Sequence, residues 1–321
     1  MPALSDRSFQ PRSHAAAAPE NAYTVQFWQW RDHKIAYTVM GQGVPLVLIH
    51  GFGASIGHWQ KNMAVWAAAG YQVYALDLLG FGQSAKPALG YSLELWQELL
   101  EDFARAHVTQ PCVWVGNSIG GLLALMLASD APDLSLGAVL LNPASGLSHR
   151  PEELPLPLRV VMGAFSWLVS SELTGKFVFE QVRQKHRIRN TLTQVYCNPE
   201  AITDELVEML YQPSCDPGAQ QVFASILSAP AGPQPTDLLP RLTKPLLVLW
   251  GDTDPWTPIK GAVPYHQAQQ AANSSSDIAT DITTDIQIVP IPNTGHCPHD
   301  DRPEIVNALV FHWLSQKFPK S

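Results

Sequence analysis

The chain has 321 residues, of which 46% are hydrophobic and 15% are charged, so it is long enough to bury one large core together with a smaller appended unit. Its formal net charge of −8, from 20 Lys and Arg against 28 Asp and Glu, supplies none of the basic surface that nucleic-acid binding needs, and we expect no nucleic-acid partner. The four cysteines lie at wide spacings without a C-x-x-C pair, which argues against a zinc site or a disulfide framework and favours a reducing compartment.

The first 22 residues mix Pro, Ser, Arg and Ala without the apolar centre of a secretory signal, and we expect residues 1–22 to form a disordered tail. A remnant of an organelle-targeting peptide has a similar composition and stays open as an alternative. No stretch approaches the roughly 18 to 20 unbroken apolar residues that a membrane-spanning helix needs. We therefore expect a cytoplasmic protein that is not integral to a membrane, and we leave open its peripheral association with a thylakoid or equivalent membrane.

Eight short segments predict the strands of one sheet. The first two are joined by a tight turn and predict a hairpin. The other six are apolar runs bounded by Gly, Asp, Asn or Pro, which is typical of strands buried on both faces of a parallel sheet. The eight segments span residues 24–30, 33–40, 44–49, 72–76, 112–115, 137–141, 245–250 and 286–291. Helical patterns lie between many of them, at residues 58–69, 91–107, 118–129 and 302–316, so the sequence predicts a doubly wound, mostly parallel α/β sheet flanked by helices.

The alternation of strands and helices stops between residues 144 and 235. A compact domain does not hold a structureless loop of that length, and the stretch carries helical patterns at residues 158–169, 175–189, 201–211 and 218–227. We therefore predict a core of residues 23–143 and 236–321 with an inserted helical cap at residues 144–235. A Ser-, Thr- and Asp-rich stretch at residues 271–285 predicts a low-complexity surface loop within the core.

A glycine-rich motif marks the candidate nucleophile. Residues 113–121 read VWVGNSIGG and contain G-x-S-x-G between an apolar strand and a helical pattern. In that context a sharp strand-to-helix turn presents a reactive serine, and we predict Ser118 as the nucleophile. Gly116, Gly120 and Gly121 fit the same turn, because side chains there would collide with the neighbouring strand and helix. The alternative is a serine that caps an ordinary helix.

A serine hydroxyl needs a base to take its proton, and histidine is the usual base near neutral pH. His296 stands in the sequence NTGHCPHD, after the last predicted strand and before the last helix, and we predict it as the base. His299 is the alternative, although its place after Pro298 favours a capping or surface role at the start of that helix. His50, at the end of an early strand, is expected to shape its own loop through hydrogen bonds.

The base in turn needs a buried carboxylate on its far nitrogen, which fixes the tautomer and stabilises the imidazolium. The segment LWGDTDPWTP at residues 249–258 offers two candidates at the end of the penultimate strand. We predict Asp254 as this acid, whereas Asp252 is expected to hydrogen-bond its own loop backbone. The chain order of serine, aspartate and histidine differs from that of chymotrypsin-type and subtilisin-type proteases.

The developing oxyanion needs a pair of backbone donors, and the segment HGFGAS at residues 50–55 supplies a glycine-rich turn after a core strand. We predict the N–H groups of Phe52 and Ile119 as these donors, with a plain strand-to-helix loop as the alternative. A second glycine-rich turn, DLLGFGQS at residues 77–84, is expected to be structural, with Asp77 pinning the loop. This chemistry requires neither a metal nor a cofactor, and we expect none.

Taken together, the HGFG loop, the GNSIGG turn, the GDTDPW loop and the GHCPHD segment resemble the α/β-hydrolase superfamily over roughly residues 25–317. The resemblance implies an α/β-hydrolase fold with an inserted cap. Within the superfamily, GNSIGG, the FASIL stretch at residues 223–227 and GHCPHDDRPEIVNAL are most similar to the pheophytinase and chlorophyll dephytylase group. Those enzymes hydrolyse the ester that joins a chlorin propionate to phytol, so the resemblance implies an esterase for a long isoprenoid ester. The stretch at residues 271–285 departs from that pattern.

The leading hypothesis is therefore a serine carboxylic-ester hydrolase that acts on a small-molecule, apolar ester through an acyl-enzyme. A haloalkane dehalogenase or a soluble epoxide hydrolase would carry Asp at the position of Ser118, which argues against both. A carbon–carbon bond hydrolase of the ring-fission type would use the same three residues and stays open. A non-catalytic ligand-binding relative is the alternative from another class, although such proteins usually lose a triad member.

The cap segment at residues 154–173 is unusually apolar, and Arg159 is its only charged residue between Leu154 and Val169. An amphipathic helix needs an apolar face of roughly 100° to pack on a core, and this pattern is wider. We therefore predict that part of the segment, with Phe165 and Trp167, faces the substrate or contacts a membrane surface. The alternative is a helix buried entirely against the other cap helices.

Overall fold

The computed structural model describes residues 23–147, 171–274 and 285–319 of the chain. The predicted tail at residues 1–22 lies outside these ranges, as do Phe165 and Trp167 of the predicted cap. The helix before the low-complexity stretch continues to Ser274, so the first four residues of the loop predicted at 271–285 are helical. Nearly all of the remaining loop lies outside the described residues.

The described strands form one eight-stranded sheet in the order β1-β2-β4-β3-β5-β6-β7-β8. Strands β1 and β2 form an antiparallel hairpin, β2 pairs antiparallel with β4, and every later neighbouring pair is parallel. The predicted eight-stranded, mostly parallel sheet is thus confirmed. The strands are β1 Gln26–Trp30, β2 His33–Met40, β3 Val44–Ile49, β4 Tyr71–Leu76, β5 Cys112–Asn117, β6 Ser135–Leu141, β7 Leu246–Gly251 and β8 Ile286–Ile291.

Helices cover the two faces of the sheet, and further helices lie between β6 and β7 in the described residues 171–245. They are α1 Gln60–Ala68, α2 Leu93–Phe103, α3 Ile119–Asp130, α4 Glu172–Val182, α5 Lys185–Val195, α6 Asp204–Tyr211, α7 Ala219–Leu227, α8 Pro235–Leu238, α9 Val263–Ser274, α10 Pro298–Asp301 and α11 Pro303–Lys317. Short 3-10 turns lie at Ile56–Trp59, Pro199–Ala201, Gln212–Cys215, Leu239–Arg241 and Ile259–Ala262, and a π turn at Ala104–Val108 follows α2.

One predicted helix is divided in the structure. The pattern at residues 175–189 predicts a continuous helix, whereas α4 ends at Val182 and α5 begins at Lys185. Gln184 between them has φ −61° and ψ 133°, an extended conformation that no α-helix can contain. The amphipathic pattern continues across the break, which is why the sequence alone did not reveal it.

The apolar core lies on both faces of the sheet, with one cluster of buried side chains against each face. All six residues of β5 are buried, as expected for a central parallel strand. Helix α3 packs against β5 and β6, and eleven of its twelve residues are buried. A helix that is apolar all round is stable only inside a core. The buried helix therefore fixes the position of the turn that leads into it.

The helices after β6 have an apolar cluster of their own, formed by α5 and α6. It includes Leu192, Val195, Tyr196 and Leu206, together with Cys297 from the segment that follows β8. These helices therefore pack on the edge of the sheet where the predicted reactive segments end. Among the described residues, no helix combines the length and the hydropathy needed to span a bilayer.

Candidate active site

Ser118 occupies the turn between β5 and α3 with φ 58° and ψ −119°, a conformation that an L-residue rarely adopts. Its N–H donates to the carbonyl oxygen of Leu141 at 3.0 Å, and its own carbonyl oxygen accepts the N–H of Ala144 at 3.0 Å. Strand β6 and the loop after it thus hold the backbone of the turn. The half-buried side chain of Ser118 lines a cavity between the sheet and the helices that follow β6.

Close backbone packing explains the glycines around Ser118. A Cβ atom on Gly116 would lie 1.9 Å from the carbonyl oxygen of Gly120, and one on Gly120 would lie 2.2 Å from that of Ile49. A Cβ atom on Gly121 would lie 3.1 Å from the Cα of Pro143. The collisions expected from the motif therefore exist in the structure, and they leave room only for glycine at the two tightest positions.

His296 and Asp254 come together from the loops after β8 and β7. Nδ1 of His296 lies 2.7 Å from Oδ2 of Asp254, and the two residues are 4% and 3% exposed. If Nδ1–H donates to the carboxylate, Nε2 is left as a proton acceptor, and His296 lines the same cavity as Ser118. The competing acid, Asp252, is exposed, and its Oδ1 accepts the hydroxyl of the neighbouring Thr253, a side-chain partner in place of the predicted loop backbone.

Further donors converge on the Asp254 carboxylate. The N–H of Trp256 donates to Oδ1 at 2.8 Å, and the Thr257 hydroxyl and Nδ2 of Asn142 both donate to Oδ2. Burial alone would raise the pKa of Asp254, but hydrogen bonds from His296, Thr257 and Trp256 outweigh it and hold this pKa below its ordinary value. Asp254 is therefore ionised near neutral pH.

Asn142 is a supporting residue that the sequence analysis missed. It follows β6, is fully buried and has φ 43°, a left-handed conformation that Asn tolerates better than most residues. Its Oδ1 accepts the N–H of Gly251 at 2.8 Å, while its Nδ2 donates to Asp254 at 2.8 Å. The available signal was an Asn at the end of a buried strand and directly before Pro143.

His50 has the local role predicted for it. Its Nδ1–H donates to the carbonyl oxygen of Gly51 at 2.8 Å, and its Nε2 accepts the N–H of Leu78 at 3.0 Å. Burial lowers the pKa of His50 to about 4, so the ring is neutral at physiological pH. His50 therefore fixes the path of the glycine-rich loop and is not available as the base.

His299 departs from the prediction of a capping or surface role. It is fully buried, and its ring packs 4.2 Å from the Trp59 ring centroid and 4.5 Å from that of His58. The helix begins at Pro298, as expected, but its first turn directs the His299 ring into the interior. Burial lowers the pKa of His299 well below its ordinary value, so this histidine is neutral. It does not line the cavity that contains Ser118.

The two predicted oxyanion donors flank the serine. Ile119 is the first residue of α3, where the backbone N–H has no partner within the helix. Phe52 follows β3, lines the cavity and is 42% exposed. Its ring lies 5.7 Å from that of Phe81 in the core and 6.1 Å from that of Phe223 in α7. Both residues are thus near the reacting atoms, and their role as donors stays a prediction.

Asp77 pins two glycine-rich loops together, as the sequence predicted. Its carboxylate accepts the N–H of Ile56 at 2.7 Å and the N–H of Gln83 at 2.7 Å. Burial raises the pKa of Asp77 to about 6 despite these hydrogen bonds. A Cβ atom on Gly82 would lie 2.1 Å from the Asp77 carboxylate, so glycine at this position lets the loop close around it.

The cavity above Ser118 measures about 270 Å³ and lies between the sheet and the helices that follow β6. Ser118, His296 and Asn117 supply polar groups on its core wall. The facing helices supply mainly apolar side chains, among them Phe179, Val182, Leu192, Val195, Val222 and Phe223. The reacting groups are therefore at one wall of a largely apolar chamber, a common arrangement for a site that binds an apolar small molecule.

Comparison with known proteins places this geometry in a family. The model of the alpha/beta hydrolase family matches residues 46–309, well over half of the chain. The chain belongs to this family. The predicted fold class and the predicted resemblance are thereby confirmed.

Among curated relatives of this hydrolase, chloroplastic pheophytinase of Arabidopsis thaliana is 27% identical over 319 aligned residues, which cover 84% of this chain. The match spans 61% of the pheophytinase, less than two thirds of its length. A 2-hydroxy-6-oxo-2,4-heptadienoate hydrolase of Pseudomonas putida is 31% identical over 196 residues, covering 60% of this chain and 63% of the relative.

Solved structures show the same fold. An epoxide hydrolase, CorEH, superposes with a TM-score of 0.73 at 19% identity and covers 92% of this chain and 99% of its own. CarC, a serine hydrolase involved in carbazole degradation, superposes with a TM-score of 0.68 at 21% identity and covers 92% and 100%. Because the fold is shared by enzymes of different chemistry, the activity of this chain has to be argued from its site.

Proposed function

We propose that this hydrolase cleaves carboxylic esters through an acyl-enzyme on Ser118. The observation that carries the proposal is the geometry of one cavity: Ser118 projects into it from a strained turn, beside His296 held by the buried Asp254. A serine, a base and an orienting acid in this arrangement perform acyl transfer in unrelated hydrolases. The tail, core and cap boundaries predicted from the sequence remain part of the proposal.

In the proposed reaction, Nε2 of His296 takes the proton of Ser118 as its oxygen attacks the ester carbonyl. The N–H groups of Phe52 and Ile119 donate to the oxyanion that develops. Protonated His296 then gives its proton to the departing alcohol, which leaves an acyl-enzyme. His296 next activates a water that attacks the acyl carbonyl, and collapse of that intermediate releases the carboxylic acid and restores the serine hydroxyl.

The walls of the chamber support an apolar substrate. Its cap wall is apolar, and burying one side chain of Leu or Phe size stabilises a complex by about 1.5 to 3 kcal/mol, so a long apolar ester gains most from it. The similarity to pheophytinase supports the phytyl ester of chlorophyll or pheophytin as the specific candidate. Peripheral contact of the cap with a membrane, where such esters reside, belongs to the same proposal.

The second candidate is a carbon–carbon bond hydrolase acting on a ring-fission product. The 31% identity to the Pseudomonas putida hydrolase over 196 residues favours it, and the same three residues would act. The two candidates differ in the bond broken, so product analysis after incubation with a vinylogous diketone or with an ester separates them.

A fluorophosphonate probe tests the nucleophile. We expect it to label Ser118, and we expect Ser118→Ala to abolish ester turnover while keeping the fold, since the change opens little volume. Labelling of another serine, or near-wild-type turnover of the alanine variant, would refute Ser118 as the nucleophile. A wild-type protein that is neither labelled nor active would instead support the ligand-binding alternative.

Graded substrates test the substrate class. The protein is incubated with chlorophyll, pheophytin and p-nitrophenyl esters of increasing chain length, and we expect activity to favour the long apolar esters. The double variant Phe165→Asp with Trp167→Asp is expected to lose use of phytyl esters and liposome co-sedimentation while keeping short-ester cleavage. Equal losses on long and short esters, or unchanged co-sedimentation, would contradict the corresponding part of the proposal.

A further inference from the structure

A buried carboxylate lies beside the base without belonging to the predicted site. Asp301, at the end of α10, is 1% exposed. Its Oδ2 accepts the N–H of Gly295 at 2.8 Å and the N–H of Cys197 at 3.0 Å, and its Oδ1 accepts the N–H of Asn198 at 2.7 Å. Three backbone N–H groups therefore find their acceptor in this one buried carboxylate, which satisfies polar groups that would otherwise be unpaired in the interior.

The three donors come from two separate parts of the chain. Gly295 directly precedes His296, whereas Cys197 and Asn198 belong to the segment at residues 195–198, which closes α5 and which we call the cap strap. The same two parts meet again where the N–H of His296 donates to the carbonyl oxygen of Val195 at 2.8 Å. The cap strap therefore lies directly against the backbone of the base.

The cap strap and the His296 loop are closely packed at Gly295. A Cβ atom on Gly295 would lie 2.0 Å from the carbonyl oxygen of Val195, so the two backbones touch at the residue before the base. The strap is also fixed from its other side, where the Tyr196 hydroxyl donates to Oδ2 of Asp300 at 2.8 Å and accepts from Nε2 of His58 at 2.9 Å. Asp301 thus joins two segments that are each held by other contacts, the His296 loop and the cap strap.

The remaining contacts of His296 come from the core. Nδ2 of Asn117 donates to its carbonyl oxygen at 2.9 Å, and its Nδ1 contacts Asp254 at 2.7 Å. Core residues therefore orient the ring of His296 and hold its carbonyl group. The cap strap holds the N–H of His296, and Asp301 holds the N–H of Gly295 before it. Without Asp301, the N–H groups of Gly295, Cys197 and Asn198 would lose their acceptor, and the loop would have to move to find new partners.

We propose that Asp301 is a positioning residue for the base: it ties the His296 loop to the cap strap and so sets the imidazole in reach of the Ser118 proton. The inference rests on the proposed function of this site. Asp301 does not line the cavity, although Val195 and Tyr196 of the cap strap do, so its loss is expected to lower kcat by a larger factor than it raises KM. Displacing a reacting group by about 1 Å costs up to roughly 100-fold in rate.

The test is Asp301→Asn, a near-isosteric change that opens no cavity and removes one of the two acceptor oxygens. We expect kcat for a short p-nitrophenyl ester and the rate of fluorophosphonate labelling of Ser118 to fall by roughly 10- to 100-fold, with a much smaller change in KM. The matched control is Asp204→Asn, which removes an ion pair between α6 and Arg189 of α5, two residues that do not line the cavity. This control is expected to keep kcat.

Gly295→Ala tests the same contact without removing an acceptor, because the added Cβ would push Val195 away. It is expected to reproduce the loss of kcat and of fluorophosphonate labelling, with a rise in KM because Val195 lines the cavity. It serves as the test of the contact if Asp301→Asn does not fold, as judged by circular dichroism. Folded variants with wild-type kcat, or an equal loss in Asp204→Asn, would overturn the role of Asp301. A wild-type protein that is itself inactive and unlabelled would refute the proposed function, a result that these variants cannot mimic.

Discussion

Asn142 offers a quantitative test of how the acid is held. Replacing it with Ala removes the amide that donates to Asp254 and accepts from Gly251, both at 2.8 Å in a fully buried position. The new residue must also adopt the left-handed φ of 43°. Both the stability of the fold and the rate of the reaction are therefore expected to fall.

The expected magnitude follows from three contributions. A lost hydrogen bond to a charged group costs about 1.5 kcal/mol or more, and an unpaired buried N–H at Gly251 costs about 1 kcal/mol or more. A left-handed Ala costs about 1 kcal/mol. Local relaxation recovers part of this, so we expect a loss of about 2 to 4 kcal/mol. With an unfolding entropy near 0.7 kcal/mol per kelvin for a chain of this size, the melting temperature should fall by about 3 to 6 °C.

The assay compares melting by circular dichroism with kcat on a short ester for wild type, Asn142→Ala and Asn142→Gly. Glycine loses the same hydrogen bonds but accepts positive φ, so its variant should melt above the alanine variant and below wild type. Both variants are expected to lose activity because Asp254 is less firmly oriented. An alanine variant that melts with wild type and retains its kcat would refute the role assigned to Asn142.

Two further predictions concern the acid and the buried histidines. Asp254→Asn is expected to lower kcat by about 10⁴ by leaving the imidazole in the wrong tautomer, whereas the matched Asp252→Asn is expected to keep it; the reverse order would assign the acid to Asp252. Burial holds the pKa of His50 at about 4 and lowers those of His58 and His299, so below pH 6.5 the unfolded chain binds protons that the folded chain does not. The stability linked to these groups is complete above pH 6.5 and is lost as the pH falls, so the melting temperature should drop with the pH. His299→Leu removes one of the groups and should make this drop shallower. An equal dependence of melting temperature on pH in wild type and His299→Leu would contradict the prediction.

The sequence predicted the sheet well because its signals are local. Each buried apolar run bounded by turn residues became a strand, and the G-x-S-x-G motif lies at the predicted turn. The supports of the site are different, since they depend on contacts between distant residues. Asn142 meets Asp254 across 112 positions, and Asn198 meets Asp301 across 103. No local pattern encodes such pairs, and the burial of His299 against Trp59 has the same origin.

The division of the helix predicted at residues 175–189 illustrates another limit. An amphipathic pattern reports which side of a segment faces the core, and it persists when two helices in series share that core. The break depends on the backbone conformation of one residue, Gln184. No glycine or proline lies near it in the sequence to indicate the end of a helix. Local composition therefore predicts the presence of helices here better than their number.

Three hydrogen bonds that join the cap strap to the His296 loop and to Asp301 use main-chain atoms of the strap: the carbonyl of Val195 and the N–H groups of Cys197 and Asn198. The Tyr196 side chain adds a contact to Asp300. Every amino acid provides a carbonyl, and every one except proline provides an N–H. These three hydrogen bonds therefore survive a change of side chain at Val195, Cys197 or Asn198, other than to proline at the two N–H donors, as long as the chain follows the same path and Asp301 is retained. A change at Tyr196 would in addition remove its contact to Asp300.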